Sequence, residues 1–427
     1  MNGAPLAIQP LERPPSAIVT VPGSKSITNR ALLIAALAEG RSELHGALFS
    51  DDTRYMVAAL RALGVRVDAD EAAARIAVEG CGGRWPARDA ELYVGNAGTA
   101  MRFLVAALCL GHGRYRIDGT ARMRERPIRE LVDTLRQLGV RLTCAPNGGP
   151  PVVVEADGLP GGVAELNAER SSQFLSALLL VAPYADRTLT VRLRGTVIAQ
   201  PYIDLTRAVM RQWGITVEQL DTYREFRVAG GQRYRAHSPY AVEPDASSAH
   251  YFWAAAALTG GRVGVEGLTL DALQGDVRFV SVLGDMGAGF HIEGNALTVV
   301  GGALGGIDVD LNGISDTVPT LAAIAPFASA PVRIRNVAHL RWQESDRLRA
   351  VATELARLGA RVQELDDGLQ VEPARLHGGD VHTYDDHRIA MAFALIGLRV
   401  PDIRIEDPGC VAKTFPDYFE RLEQLRR

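Results

Sequence analysis

Pro22-Gly23-Ser24-Lys25-Ser26-Ile27-Thr28-Asn29-Arg30 runs directly into the apolar stretch Ala31-Leu32-Leu33-Ile34-Ala35-Ala36-Leu37-Ala38. A glycine, small hydroxyl residues and a lysine ahead of a helix-length apolar run describe a helix N-terminus open to an anion. The first turn of a helix leaves backbone N–H groups without intrahelical partners, and Arg30 lies one turn further in. Taken alone, the pattern is equally that of an ordinary helix cap, for which Gly, Ser and Thr are favoured.

Recurrence shifts the balance. Thr99 opens Gly98-Thr99-Ala100-Met101-Arg102-Phe103-Leu104, Ser172 opens Ser172-Gln173-Phe174-Leu175, and Ser248, Thr317 and His387 precede three more apolar runs. From Ser26 onward the intervals are 73, 73, 76, 69 and 70 residues, which is an internal repeat. A second marker keeps the same beat: Gly64, Gly139, Gly214, Gly287 and Gly359 each stand between a helical pattern and an alternating one. Glycine there supplies the left-handed residue that a helix needs to turn into a strand.

A chain of 427 residues holds one large core or two to three ordinary ones, and the repeats favour two domains of three units. Hydrophobic content of 47%, charged content of 22% and a mean hydropathy near zero describe a globular protein. A net charge of −4 without any lysine-arginine block gives no reason to expect nucleic acid, so an anion site must be a local concentration of charge. Cys81, Cys109, Cys144 and Cys410 form no CxxC pair, which suits reduced thiols in the cytoplasm; Cys109 and Cys144 read as buried. The start Met1-Asn2-Gly3-Ala4-Pro5 lacks the features of a signal peptide. The longest apolar runs, Phe174 to Ala182 and Tyr251 to Leu258, are too short to span a bilayer.

Two extended segments, Leu6-Ala7-Ile8 and Ala17-Ile18-Val19-Thr20-Val21, precede the first unit, while the last unit runs out in a helix from Tyr418 just where its closing strands are due. The N-terminal strands are therefore expected to complete the sixth unit. That places residues 23–241 in the first domain and residues 1–22 plus 242–427 in the second. No unit has an apolar face large enough to stand alone, so three should pack around an axis in each domain. If the domains face each other, six helix N-termini converge on an interdomain cleft, where their dipoles favour an anion.

Several motifs then fall into one order: Gly23-Ser24-Lys25-Ser26, Gly95-Asn96-Ala97-Gly98-Thr99-Ala100-Met101-Arg102, Arg126-Pro127, Ser171-Ser172-Gln173, Gln343-Glu344-Ser345-Asp346-Arg347, Asp386-His387-Arg388 and Lys413-Thr414-Phe415-Pro416-Asp417. Over essentially its whole length the chain resembles the enolpyruvyl transferases, most closely the branch whose acceptor is shikimate 3-phosphate. The resemblance implies an α/β fold: a two-domain inside-out α/β barrel, each domain three βαβαββ units, with the active site in the interdomain cleft. It also implies transfer of the enolpyruvyl group of phosphoenolpyruvate to an acceptor hydroxyl with release of phosphate.

By the same resemblance, Asp316 is the base for the acceptor hydroxyl and Glu344 the acid for C3 of the enol, with Lys25 and Lys413 assisting. Phosphoenolpyruvate is held by Lys25, Gly98, Arg126, Gln173, Arg347, Arg388 and Lys413, a set rich in guanidinium groups that pair with carboxylate and phosphate oxygens. The acceptor meets Lys25, Ser26, Arg30, Ser171, Ser172, Gln173 and Asp316, together with positions 339 and 343. Three positions depart from the family pattern: Ala199 replaces a serine, Gln343 a lysine and His339 an asparagine. The acceptor's phosphate pocket is thus thinned, with Gln200 and Arg341 as neighbours able to compensate.

Three functions stay open at this point: the phosphorylated-acceptor transferase, a transferase for a different or less phosphorylated acceptor, and a non-catalytic anion-binding homologue. Asp316 and Glu344 together argue against the last. The branch acting on UDP-N-acetylglucosamine carries a cysteine in the mobile loop of its first domain, and residues 119–127 here have none. No nucleotide-binding glycine motif or metal-ligand spacing is present, so neither a metal nor an organic cofactor is expected. The expected partners are small molecules, with no membrane partner, and the expected state is a monomer.

Overall fold

The computed structural model describes residues 4–426; residues 1–3 and 427, which include most of the stretch read for a signal peptide, lie outside it. Two compact units emerge. One runs from Gly23 to Val242, and the other joins the chain up to Pro22 to the chain from Glu243 onward. The chain therefore crosses between units twice, at Pro22/Gly23 and at Val242/Glu243.

Six helices begin at the six polar openings: Lys25–Leu37, Gly98–Leu108, Ser172–Val181, Ala246–Thr259, Val318–Ile324 and His387–Gly397. Beyond polar side chains in their first two turns and the closing Thr259, they are apolar on every face, so each must be surrounded by protein. Every residue of His387–Gly397 is buried, and so is all of Ala246–Thr259 except its last. Within the unit that begins at Glu243 these helices pack against one another; in the other unit Gly98–Leu108 packs on both Lys25–Leu37 and Ser172–Val181. The second helices of five units end at Gly64, Gly139, Gly214, Gly287 and Gly359, all with φ between 86° and 109°. A side chain there would be strained, which is why glycine marks the beat.

The sheets lie outside the helices, one per repeat, and five of the six share one order. In the second repeat, Asp89–Tyr93 runs parallel to His112–Asp118, followed by antiparallel Val152–Asp157 and Arg141–Thr143. Strand Val152–Asp157 alternates between core-facing and outward residues, as a sheet covered on one face should. This is the inside-out α/β arrangement: helices form the core and the sheets form the wall.

One expectation is corrected. Leu6–Ile8 does join the sixth unit, antiparallel to Ile403–Ile405. Ser16–Val19 instead opens the fourth unit, parallel to Arg262–Glu266. The first unit closes likewise, taking its opening strand from Tyr240–Ala241, parallel to Glu39–His45. Each unit of the molecule is thus a ring of three repeats whose leading strand comes from the far end of its own chain segments. Among the described residues no helix is long and apolar enough to cross a membrane.

Candidate active site

Between Gly23 and Val242, the helix openings gather cations around small residues. Ser24 caps the first helix by accepting from Ile27 N, which leaves Lys25 as its first residue, with Nζ 3.4 Å from Asp52 Oδ2. Gly98 starts the next helix, and two guanidinium groups crowd it. A Cβ at Gly98 would stand 2.4 Å from Arg102 Nη1 and 2.6 Å from Arg126 Nη2, so any side chain there must push the guanidinium groups aside. Arg126 Nη1 donates to both Asn96 O and Asn96 Oδ1 at 3.1 Å, and Arg102 Nη2 donates to Pro127 O at 3.3 Å. Gln173 Nε2 donates to Thr99 Oγ1 at 3.3 Å.

The loop carrying Arg126 is pinned at its start. Asp118, 4% exposed, accepts from Arg124 Nε and Nη2 at 2.9 and 2.8 Å and from Arg116 Nη2 at 2.7 Å. Burial works against its charge, but the bonds from Arg124, Gly119 N and Arg116 outweigh it and hold this carboxyl below its ordinary range. The three arginines of the loop thus divide: Arg124 anchors, Arg126 turns inward and Arg122 pairs outward with Glu125 at 2.9 Å.

Two residues expected at the acceptor are already engaged. Arg30 is 1% exposed; its Nε donates to Thr206 Oγ1 at 2.8 Å, Nη1 to Ser26 O at 2.9 Å, and Nη2 to Tyr202 O at 3.2 Å and Ser176 Oγ at 3.5 Å. Four of its five N–H donors are taken, three of them by the neighbouring helices Ser172–Val181 and Gln200–Gln212, and burial lowers its pKa to about 10. Ser171 Oγ accepts from Gln173 N at 3.2 Å, acting as the cap of Ser172–Val181. Ser172 is buried and Ser26 partly so.

In the unit from Glu243 onward, charge is organised around one buried arginine. Arg347 opens the helix Arg347–Arg357 and reaches three carboxylates delivered by three different segments: Asp386 (Nε, 2.9 Å), Glu344 (Nη2, 2.8 Å) and Asp316 (Nη1, 3.1 Å). Burial alone would weaken its charge, but Asp386, Glu344 and Asp316 overcompensate and raise its pKa. Arg388 Nη2 donates to Asp316 Oδ2 at 2.6 Å, and Lys413 Nζ stands 3.8 Å from Glu344 Oε1. Asp386 caps His387–Gly397 by accepting from Arg388 N at 3.0 Å and also accepts from Ser345 Oγ at 2.9 Å. Sequence reading missed Asp386, Ser345, Asp52 and Arg102 as members of the set. Asp386, Ser345 and Arg102 do stand inside the quoted motifs, but nothing local marked them as hubs.

The three departures also have positions. Ala199 precedes Gln200–Gln212 in the left-handed region at φ 49°. Gln343 ends the short helix Ala338–Trp342 and is half-buried. His339 Nε2 bonds Ser315 Oγ at 2.9 Å, and burial pushes its pKa down to about 4, with Arg347 adding to the shift and Asp316 opposing it. Arg341, expected as a compensating neighbour, is bound to Glu364 Oε1 at 2.5 Å, Leu365 O at 2.8 Å and Asp346 Oδ2 at 3.3 Å, so it already has its counter-charges. Gln200 is exposed. All four cysteines are free; Cys109 is buried as expected, but Cys144 is part-exposed.

The fold and these clusters define an α/β protein of the two-domain inside-out kind whose buried cations suit a small anion and whose carboxylates suit proton transfer. A solved structure described as EPSP synthase from Acinetobacter baumannii matches with a TM-score of 0.81 at 26% identity, covering 100% of this chain and 98% of that one. The family model for EPSP synthase (3-phosphoshikimate 1-carboxyvinyltransferase) matches residues 12–422. A relative from Trichormus variabilis named 3-phosphoshikimate 1-carboxyvinyltransferase is 50% identical over 98% of this chain and 99% of its own length. A chloroplastic relative of the same name from Nicotiana tabacum is 44% identical over 99% of this chain and 85% of its own length. The chain belongs to the EPSP synthase family.

Proposed function

We propose that this chain transfers the enolpyruvyl group of phosphoenolpyruvate to a hydroxyl of shikimate 3-phosphate and releases phosphate, the step for which its relatives are named. The observation that carries the reading is the Arg347 cluster, where Glu344, Asp316, Arg388 and Lys413 stand within one linked set of ion pairs.

The chemistry needs a base, an acid and cations. The acceptor oxygen bonds to C2 of the enol while its proton leaves to Asp316 and C3 gains a proton from Glu344. The tetrahedral adduct then loses phosphate from C2 and returns a proton from C3 to the Glu344 carboxylate, which restores the double bond. Lys25 and Lys413 stabilise charge and assist proton movement. Arg126, Arg347 and Arg388 hold the carboxylate and phosphate of the donor, beside Gly98 and Gln173.

Asp316, Glu344 and Asp386 stand paired with Arg347, Arg388 and Lys413, and Asp385 lies close enough to Lys413 and Glu344 to add its own charge. An anionic donor taking up Arg388 and Lys413 draws counter-charge away from Asp316 and Glu344. Asp316 then becomes the better base and Glu344 more readily carries the proton it must give. Ser26, Ser171, Ser172, Gln173, His339 and Gln343 face the acceptor in this reading; Arg30 contributes its one remaining N–H and the rigidity of its helix.

A second reading, an acceptor with less phosphate, is favoured by one observation: Arg341 is held by Glu364 and Asp346 while Ala199 and Gln343 add no charge. Phosphate release with phosphoenolpyruvate and shikimate 3-phosphate tests the first reading. Clear preference over unphosphorylated shikimate supports it, preference for shikimate supports the second, and no release with either acceptor sinks both. The proposal also sets the chain in the cytoplasm as a monomer, with small-molecule substrates and no nucleic-acid partner.

A further inference from the structure

The helix Arg347–Arg357 meets the segment His382–Arg388 at two points. At its first residue, Arg347 binds Asp386 through Nε and Nη2 at 2.9 and 3.2 Å. Seven residues on, back on the same helix face, Glu354 accepts from Tyr384 OH at 2.8 Å and from His382 N at 3.0 Å. Glu354 is 1% exposed, is closed over by Arg357 Nη1 at 3.0 Å, and has no task in the chemistry above.

Between the two contacts the chain turns through Tyr384 and Asp385, both left-handed, with φ of 56° and 53°. Non-glycine residues resist this region, a bulky tyrosine especially, and two in succession persist only where their surroundings hold them. The residues that follow at once are Asp386, which binds Arg347, and Arg388, which binds Asp316.

We propose that Glu354 and Tyr384 form a positioning pair: their bond holds the left-handed corner that sets Asp386 and Arg388, and through them the guanidinium geometry offered to the anionic donor. The pair touches neither substrate; it acts through Arg347 and Arg388. The inference rests on the proposed reaction for the identity of that donor.

Steady-state phosphate release from the full chain tests it with Tyr384→Phe, Glu354→Gln and the double variant. Tyr384→Phe removes one hydroxyl and should leave the thermal midpoint within about 3 °C. It should raise KM for phosphoenolpyruvate about fivefold, the scale of one lost buried hydrogen bond, with kcat and the acceptor's KM little changed. The double variant should be no worse than the worse single one, because Glu354→Gln keeps one acceptor oxygen for Tyr384 OH and His382 N, and without the tyrosine hydroxyl that oxygen serves His382 N. A merely structural role would lower kcat through the active fraction and leave both KM values alone. That result, or unchanged kinetics in Tyr384→Phe beside an active wild type, overturns the inference. An inactive wild type instead overturns the reaction itself.

Discussion

The two units hold their buried cations differently. From Glu243 onward, arginine meets carboxylate: Arg347 binds Asp386, Glu344 and Asp316, and Arg388 binds Asp316. Between Gly23 and Val242, Arg126 donates to the two oxygens of Asn96, Arg102 to a proline carbonyl, and Arg30 to hydroxyls and carbonyls. A neutral oxygen satisfies an N–H without cancelling charge, whereas a carboxylate does both. Carboxylates that partner buried arginines are therefore gathered in one unit, while the other offers geometry, field and the Lys25–Asp52 pair.

The sharpest way to break this comparison is Glu344→Gln. It should lower kcat by about 100-fold to 10,000-fold, the range for a lost general acid, with a smaller change in KM, measured by phosphate release. A change confined to KM would show that Glu344 only balances charge. Next comes Asp386→Asn, which leaves Arg347 short of a buried counter-charge and should cost about 3–5 kcal/mol of stability in denaturant unfolding. A loss under about 1 kcal/mol would mean that the cluster does not depend on charge pairing.

His339 gives a smaller effect with a definite sign. Its folded pKa of about 4 lies below the ordinary value of 6.5, so the unfolded chain takes up the proton first. The stability from keeping His339 neutral is fully present above pH 6.5 and is lost as pH falls toward 4. Unfolding of His339→Asn against wild type should show a slope shallower by about 2 kcal/mol between pH 6.5 and 5; parallel slopes would refute it.

In the other unit, Gly98→Ala should raise KM for phosphoenolpyruvate about tenfold, because the new methyl displaces Arg102 and Arg126 at a cost on the order of one hydrogen bond to a charged group. A loss of kcat with KM unchanged would erase the contrast between the units. The smallest expected effect is none at all: a chelator should leave turnover as it was, and a strong loss would require a metal in the reaction.

How much of this was legible beforehand follows from the range of the forces. The six buried helices and their glycine-ended neighbours could be read off, because caps, apolar runs and left-handed glycines act within a turn or two. The partner of Ser16–Val19 could not. An alternating strand states that it has a buried face but not which edge it joins, so its place beside Arg262–Glu266 depended on ring closure. Arg30 was carried to the acceptor by resemblance and Arg341 named as a neighbour able to compensate, but their partners Thr206, 176 residues from Arg30, and Glu364 were not legible.

Sequence by itself determined that six apolar helices open on small polar residues at a regular interval, and that a glycine ends the second helix of five repeats. Tertiary structure alone decided which charges meet: that Arg347 gathers carboxylates from three segments, that two guanidinium groups press on Gly98, and that Arg30 supports a helix core. Hydrogen bonds within a helix join residues four apart, while a buried charge takes as its partner whatever the fold brings within about 3–4 Å.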